Sequence, residues 1–109
     1  MSWFRRKPKQ PTDRMADKSL VGADLEHLRT FARSRHGVEA YLEPKTAVTE
    51  TTVVLIAHDG EWTRRRVTGP DAAGKLATEL GIPLYEVTKV GYPTRMREFN
   101  ARRKAAGEQ

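Results

Sequence analysis

The chain has 109 residues and a formal net charge of +6, with 20 Lys or Arg against 14 Asp or Glu. This length allows one domain with a small core, and the absence of Cys excludes disulfides, thiolate metal sites and thiol catalysis. The longest apolar run, Val53 to Ala57, is far shorter than the roughly 20 residues that cross a bilayer, and no apolar secretory signal is present. A cytoplasmic location is therefore expected.

The positive charge lies at the two ends of the sequence. Residues 1–20 contain six basic and two acidic residues, and residues 91–109 contain five basic and two acidic residues. The segment between them has nine basic and ten acidic residues. Cationic ends contribute little to a fold but attract phosphate-bearing surfaces. We therefore expect a near-neutral folded body with two basic ends.

Residues 1–19 are rich in charge and have no periodicity, which predicts a disordered basic arm. Aromatic residues next to basic ones can hold a protein on an anionic membrane surface, and the same peptide can order along RNA. A solubilising tail without a partner is the third interpretation. The residues of the predicted N-terminal anchor are Trp3, Phe4, Arg5, Arg6 and Lys7.

A single α+β domain is predicted over residues 20–92, and its first element is a helix. Leu25, Leu28 and Ala32 recur at helical spacing, which predicts this helix over residues 22–36.

Two strands are predicted next. Residues 38–43 alternate between apolar and polar side chains, as in a strand with one buried face. Residues 48–58 are rich in Thr and Val and become apolar on both faces, which is typical of a strand at the centre of a sheet.

The dipeptide Asp59-Gly60 predicts a hairpin with a two-residue type I′ turn, because both turn positions need positive φ. This turn would place Ala57 opposite Trp62 in a third strand that ends near Thr68.

The rest of the chain predicts a helix, a strand and a basic helical end. Pro70 suits the start of the second helix, and Gly81 ends it. Residues 82–87 predict a final strand, and residues 93–109 a basic C-terminal helix or tail. The order α-β-β-β-α-β-α predicts an α+β fold with a small, mainly antiparallel sheet of three to four strands and helices on one face.

No sequence pattern predicts an enzyme. The three His residues lack the spacing of a metal-binding pair, and no glycine-rich phosphate loop or dinucleotide fingerprint occurs. Acidic residues on the strands are interpreted as outward-facing polar positions rather than as an acid-base pair. We therefore expect no cofactor and no metal.

The strand that begins at Trp62 is the main candidate for a binding site. Trp62, Arg64 and Arg66 share one face, where a ring and guanidinium groups suit the bases and phosphates of RNA. Alternatively, Trp62 packs at the edge of the core while the arginine stems cover the sheet. On the last helix, the residues predicted to contact phosphates are Arg95, Arg97, Arg102 and Arg103.

The α-β-β-β-α order of residues 22–80 resembles the double-stranded-RNA-binding domain. That family contacts RNA through a lysine-rich start of its second helix, whereas residues 71–75 of this chain provide one matching lysine, Lys75. No binding residue is carried over, because a fold alone does not confer function.

The chain also resembles, over nearly its whole length, a set of short basic proteins from high-GC Gram-positive bacteria. Some members carry an oxidoreductase label, but this sequence has no cofactor fingerprint and no redox-active thiol. The matching segments are residues 2–6, 37–41, 59–66, 80–83 and 91–97.

The leading expectation is a non-enzymatic accessory module that binds RNA or a ribonucleoprotein surface, such as that of the ribosome. The alternative is an adaptor on a protein or membrane surface, held by the N-terminal anchor. A small enzyme, such as an oxidoreductase, is the third hypothesis and has no motif to support it.

Overall fold

A computed structural model describes residues 11–107, with side chains from residue 21 onwards. The elements of this part of the chain are α1 (Pro11–Ser34), β1 (Glu39–Glu43), β2 (Thr52–Ile56), β3 (Trp62–Arg66), α2 (Pro70–Leu80), β4 (Leu84–Glu86), the single-turn α3 (Val87–Val90) and α4 (Thr94–Ala105).

The four strands form one sheet in the order β3-β2-β1-β4. β2 is antiparallel to both of its neighbours, whereas β4 is parallel to β1. A parallel connection needs a long crossover, and α2 provides it by carrying the chain from one edge of the sheet to the other. The predicted α+β class and element order are confirmed.

The β2–β3 hairpin has a three-residue loop, so the predicted two-residue turn is wrong. The N–H of Ala57 donates to the carbonyl of Glu61 at 2.8 Å, and the N–H of Gly60 donates to the carbonyl of Ala57 at 2.9 Å. Gly60 has φ 95°, as in a type I turn that is followed by a left-handed glycine bulge. Ile56, rather than Ala57, therefore lies opposite Trp62.

One face of the sheet, here called the first face, packs against α1 and α2. Leu28 of α1 and Leu55 of β2 are completely buried there, and full burial of one such side chain contributes about 1.5–3 kcal/mol. The apolar cluster on this side consists of Leu28, Phe31, Val38, Ala40, Leu42, Val53, Leu55, Ala57, Val67, Ala73 and Leu76.

The opposite face, here called the second face, packs against α4. Its smaller cluster consists of Tyr41, Val54, Ile56 and Met96, with Trp62 partly buried against it. The expectation that the helices share one face therefore holds for α1 and α2 but not for α4. The reason is β2, because a strand that is apolar on both faces needs cover on both sides.

α1 begins at Pro11, well before the start at residue 22 that the periodicity predicts, so it enters the segment expected to be a disordered arm. The predicted anchor of residues 3–7 lies outside the described residues. None of the helices in the described part of the chain is long and apolar enough to cross a membrane.

Candidate functional site: the open end of the second face

The second face is built from three rows of side chains that cross the sheet. Since alternate residues of a strand point to the same side, each row follows from the strand register. From the hairpin end to the other end, the rows are Glu39–Ile56–Trp62, then Tyr85–Tyr41–Val54–Arg64, then Glu43–Thr52–Arg66. The structure thus brings the predicted residues Trp62, Arg64 and Arg66 together on one face.

α4 covers the hairpin end of the second face. Met96 is buried against Tyr41, Val54 and Ile56. The indole Nε1 of Trp62, which is half-buried, donates a hydrogen bond of 2.8 Å to Oδ1 of Asn100. The polar atom of the predicted stacking residue is therefore already used within the protein.

Arg95 fixes the start of α4 to the sheet. Its Nε donates to the carbonyl of Ala57 at 2.9 Å, and its Nη2 donates to Oε1 of Glu39 at 2.7 Å and to the carbonyl of Ile56 at 3.3 Å. Charge-assisted hydrogen bonds of this kind are among the stronger polar contacts in a fold. Arg95 was predicted to contact phosphates, and the structure places it in an internal anchor instead.

The hairpin loop approaches α4 so closely that only glycine fits. A Cβ built on Gly60 would lie 2.0 Å from the carbonyl oxygen of Arg95. Nη2 of Arg102, another predicted phosphate contact, donates to the carbonyl of Asp59 at 2.8 Å. The loop therefore lies directly against α4, and the Arg102 side chain bonds to its backbone.

The other end of the second face is not covered by α4 and forms a groove of about 600 Å³. The loop between β1 and β2 borders it on one side, and the chain after β4 borders it on the other. The side chains that define this groove are Glu43, Thr52, Arg64, Arg66, Thr88 and Tyr92.

Glu43 is the hub of the groove. Arg64 donates to both of its carboxylate oxygens, from Nε at 2.8 Å and from Nη2 at 2.9 Å. The hydroxyl groups of Thr52 and Tyr92 donate to the same carboxylate. A carboxylate accepts about four hydrogen bonds, so this one is saturated. Glu43 positions Arg64 and Tyr92, and it has no free lone pair with which to act as a base or ligand.

The pKa of Glu43 indicates that this residue is a carboxylate anion in the folded protein. Burial raises the pKa of Glu43, but the hydrogen bonds from Arg64, Thr52 and Tyr92 outweigh this effect and leave the pKa below its ordinary value. Burial, followed by the hydrogen bond to Glu43, raises the pKa of Tyr92. Tyr92 therefore remains a neutral donor, and its ring is held in one orientation.

Arg66 differs from Arg64, although the two residues line the same groove. Arg64 forms an ion pair with Glu43, and its guanidinium carbon lies 5.2 Å from the centre of the Trp62 ring. The side chain of Arg66 is exposed, and no hydrogen bond or ion pair joins its guanidinium group to another described residue. Of the two strand arginines predicted to bind RNA, Arg66 is the one whose charge remains available to a ligand.

One flank of α4 carries further exposed cations. Met96, Phe99 and Asn100 face the sheet or the hairpin, and helical spacing places Arg97 and Lys104 on one flank of α4, about a quarter-turn from Met96. Both are exposed, and Arg97 makes a single weak contact, 3.4 Å from Nη2 to the hydroxyl of Thr94. Arg103 lies beside the ring of Phe99, with 5.7 Å from its guanidinium carbon to the ring centre.

Two of the three histidines form a surface stack. The ring centres of His36 and His58 are 3.9 Å apart, and His27 hydrogen-bonds the hydroxyl of Thr63 at 2.7 Å. Burial, followed by the charge of Arg65, lowers the pKa of His27. Within the described residues, no three His, Asp or Glu side chains converge as a metal site requires.

Glu43, Tyr92 and Asn100 are the site residues that sequence reasoning missed. Glu43 stands two residues after Tyr41 on β1, so the two side chains point to the same face of the sheet. That face carries the arginines once the strand register is known. Tyr92 and Asn100 follow the last strand, and no periodicity indicates where that segment folds back.

The chain matches no protein-family model, and no curated protein or solved structure is significantly similar to it. Its function must therefore be argued from the geometry described above.

Proposed function

We propose that this protein is a non-enzymatic module that binds RNA, free or within a ribonucleoprotein, through the second-face side of its sheet. The single observation that carries this proposal is a group of cations on that side that the fold does not use. Arg66 at the groove, together with Arg97 and Lys104 on α4, lies on that side, and none of them has a carboxylate partner among the described residues.

Most other arginines of the described region are engaged with carboxylates. Arg29 and Arg33 share Glu79, at 2.8 Å and 3.3 Å, on the surface between α1 and α2, and Arg29 also pairs with Glu26 at 3.5 Å. Arg35 forms a bidentate pair with Glu61, with distances of 2.9 Å and 2.7 Å. An arginine that is paired in this way is already neutralised, so the side of the molecule that α1 and α2 form is a poor receptor for a polyanion.

The second-face side also offers what a nucleic acid needs besides charge. Tyr92 and Trp62 present partly exposed rings near arginines, the combination that proteins use to stack bases and contact the backbone of single strands. The excess of basic residues in the sequence adds a sequence-independent attraction to phosphates. Glu43 gives no support to an enzymatic role, because all its acceptor positions are filled.

A fluorescence-polarisation titration with a short labelled single-stranded RNA tests the proposal. We expect binding to weaken steeply between about 50 mM and 200 mM salt, because phosphate contacts release counterions. The double variant Arg97→Gln/Lys104→Gln should bind more weakly and reduce the steepness of the salt dependence by about 0.7 for each lost contact.

The matched control is the double variant Arg33→Gln/Lys75→Gln, which removes the same charge from the exposed surface of α1 and α2. It should bind RNA almost as well as the unmodified protein. The proposal fails if the protein does not bind RNA, or if the two double variants lose the same affinity, since the latter would mean that only net charge matters.

A further inference from the structure

We infer that the groove at the open end of the second face binds one unpaired nucleotide, with the base against the ring of Tyr92 and a phosphate at Arg66. This inference rests on the proposed function and names the part of an RNA that the protein selects. It concerns single strands, loops or ends rather than duplexes.

The groove has the size and the walls of a site for one nucleotide. Its volume of about 600 Å³ lies within the usual range of small-ligand sites, about 300–1,000 Å³. Tyr92 lines it with 36% of its surface exposed. Because its hydroxyl is bonded to Glu43, the ring is already fixed before a ligand arrives, which reduces the entropy lost on binding.

The charges of the groove favour a nucleotide over a bare anion. The charge of Glu43 is offset by Arg64, which leaves Arg66 and the exposed Glu50 as the lining charges without a partner among the described residues. A lining with no excess of positive charge holds free phosphate weakly. It can hold a phosphate at Arg66 when stacking on a neighbouring ring adds to the binding energy.

Stacking on Tyr92 requires a base whose face is free. In a duplex, both faces of a base are covered by its neighbours, and exposing one costs unstacking energy. The groove therefore discriminates by strandedness, whereas Arg97 and Lys104 of α4 contact any phosphate backbone.

The test compares a single-stranded RNA of about eight nucleotides with the blunt duplex of the same sequence. We expect Tyr92→Leu to weaken single-strand binding at least about fivefold, the lower limit for the loss of one stacked base, and to change duplex binding less than about twofold. Arg66→Gln should weaken single-strand binding more than duplex binding. Tyr92→Phe, which keeps the ring, should retain most of the affinity.

The matched control is Tyr85→Leu, because Tyr85 has a similar exposed fraction, 37%, and stands on the second face but outside the groove. It should leave single-strand binding unchanged. As a competitor, adenosine 5′-monophosphate should displace the RNA at lower concentrations than inorganic phosphate, which separates a nucleotide site from a phosphate site.

The inference is overturned if Tyr92→Leu and Arg66→Gln bind the single strand like the unmodified protein, or if single strand and duplex bind equally well. Arg66 has no partner to lose, so Arg66→Gln remains informative if Tyr92→Leu does not fold. If these variants have no effect while Arg97→Gln/Lys104→Gln still weakens binding, the proposed function stands and the groove is not its nucleotide site. No RNA binding by the unmodified protein defeats both.

Discussion

The two faces of the sheet are closed in different ways. On the first face, α1 and α2 contribute a continuous apolar cluster that contains completely buried residues such as Leu28 and Leu55. On the second face, α4 contributes one buried side chain, Met96, and is otherwise held by polar contacts at the hairpin. The comparison indicates that one face supplies most of the stability, and that the other face leaves one end uncovered.

A cavity in the first face should cause the largest loss of stability. Leu55→Ala should lower the free energy of unfolding by about 2–5 kcal/mol, because it removes a fully buried side chain from a packed core. Urea denaturation followed by circular dichroism measures the change. Met96→Ala on the second face should cost less, and an equal or larger loss there would contradict the comparison.

The contact between the hairpin and α4 is tested by Gly60→Ala. A Cβ at this position would meet the carbonyl oxygen of Arg95, and φ is 95°, so we expect a loss of about 2–4 kcal/mol from strain and overpacking. Gly74→Ala in α2 is the control, because a Cβ there meets nothing within 4 Å, and it should be neutral or stabilising by up to about 1 kcal/mol. The melting temperature should therefore fall for Gly60→Ala, and it should stay unchanged or rise for Gly74→Ala.

Substitutions of two arginines on α4 should affect stability and RNA binding differently. Arg95→Gln removes contacts to two carbonyl groups and to Glu39, so it should cost about 1–3 kcal/mol of stability. Arg97→Gln should leave stability within about 0.5 kcal/mol of the original value and weaken RNA binding. If Arg97→Gln destabilised the protein as much as Arg95→Gln, the division between anchoring and available cations would be wrong.

A small effect that depends on pH is expected at Glu43. Because the pKa of Glu43 in the folded protein is below its ordinary value of 4.5, its contribution to stability is present above that value and is lost as the pH falls through the folded pKa. Glu43→Gln should cost about 1 kcal/mol or less near neutral pH. Between about pH 5 and pH 3, the free energy of unfolding of the Glu43→Gln variant should decline less steeply than that of the original protein. Identical pH profiles would contradict a stabilising role of the Glu43 carboxylate.

Much of the fold was predictable from local patterns. The alternation along β1, the two-faced apolar run of β2 and the glycine that ends α2 each indicate an element without reference to the rest of the chain. The hairpin register was not predictable in this way, because Asp59-Gly60 suits both a two-residue turn and the end of a three-residue loop. In the three-residue loop, Gly60 lies against Arg95, a contact between distant parts of the sequence that local patterns do not reveal.

The site was predictable in part for the same reason. The shared face of Trp62, Arg64 and Arg66 follows from the period of a strand. Which of their charges stays available depends on carboxylates and hydroxyl groups that arrive from elsewhere, such as Glu43 and Tyr92. Charge counts along a sequence do not reveal such pairing, so Arg64 and Arg66 cannot be distinguished before the fold is known.

The parallel pairing of β4 with β1 has a consequence for how the protein is made. The sheet receives its last strand, and the second face its covering helix, only when the C-terminal quarter of the chain has been synthesised. A product truncated after α2 would keep the three-stranded meander but would leave one edge of β1 and the side chains of Val54 and Ile56 without cover. Unprotected edges and apolar surfaces of this kind promote aggregation, so premature termination or proteolytic trimming should yield insoluble fragments.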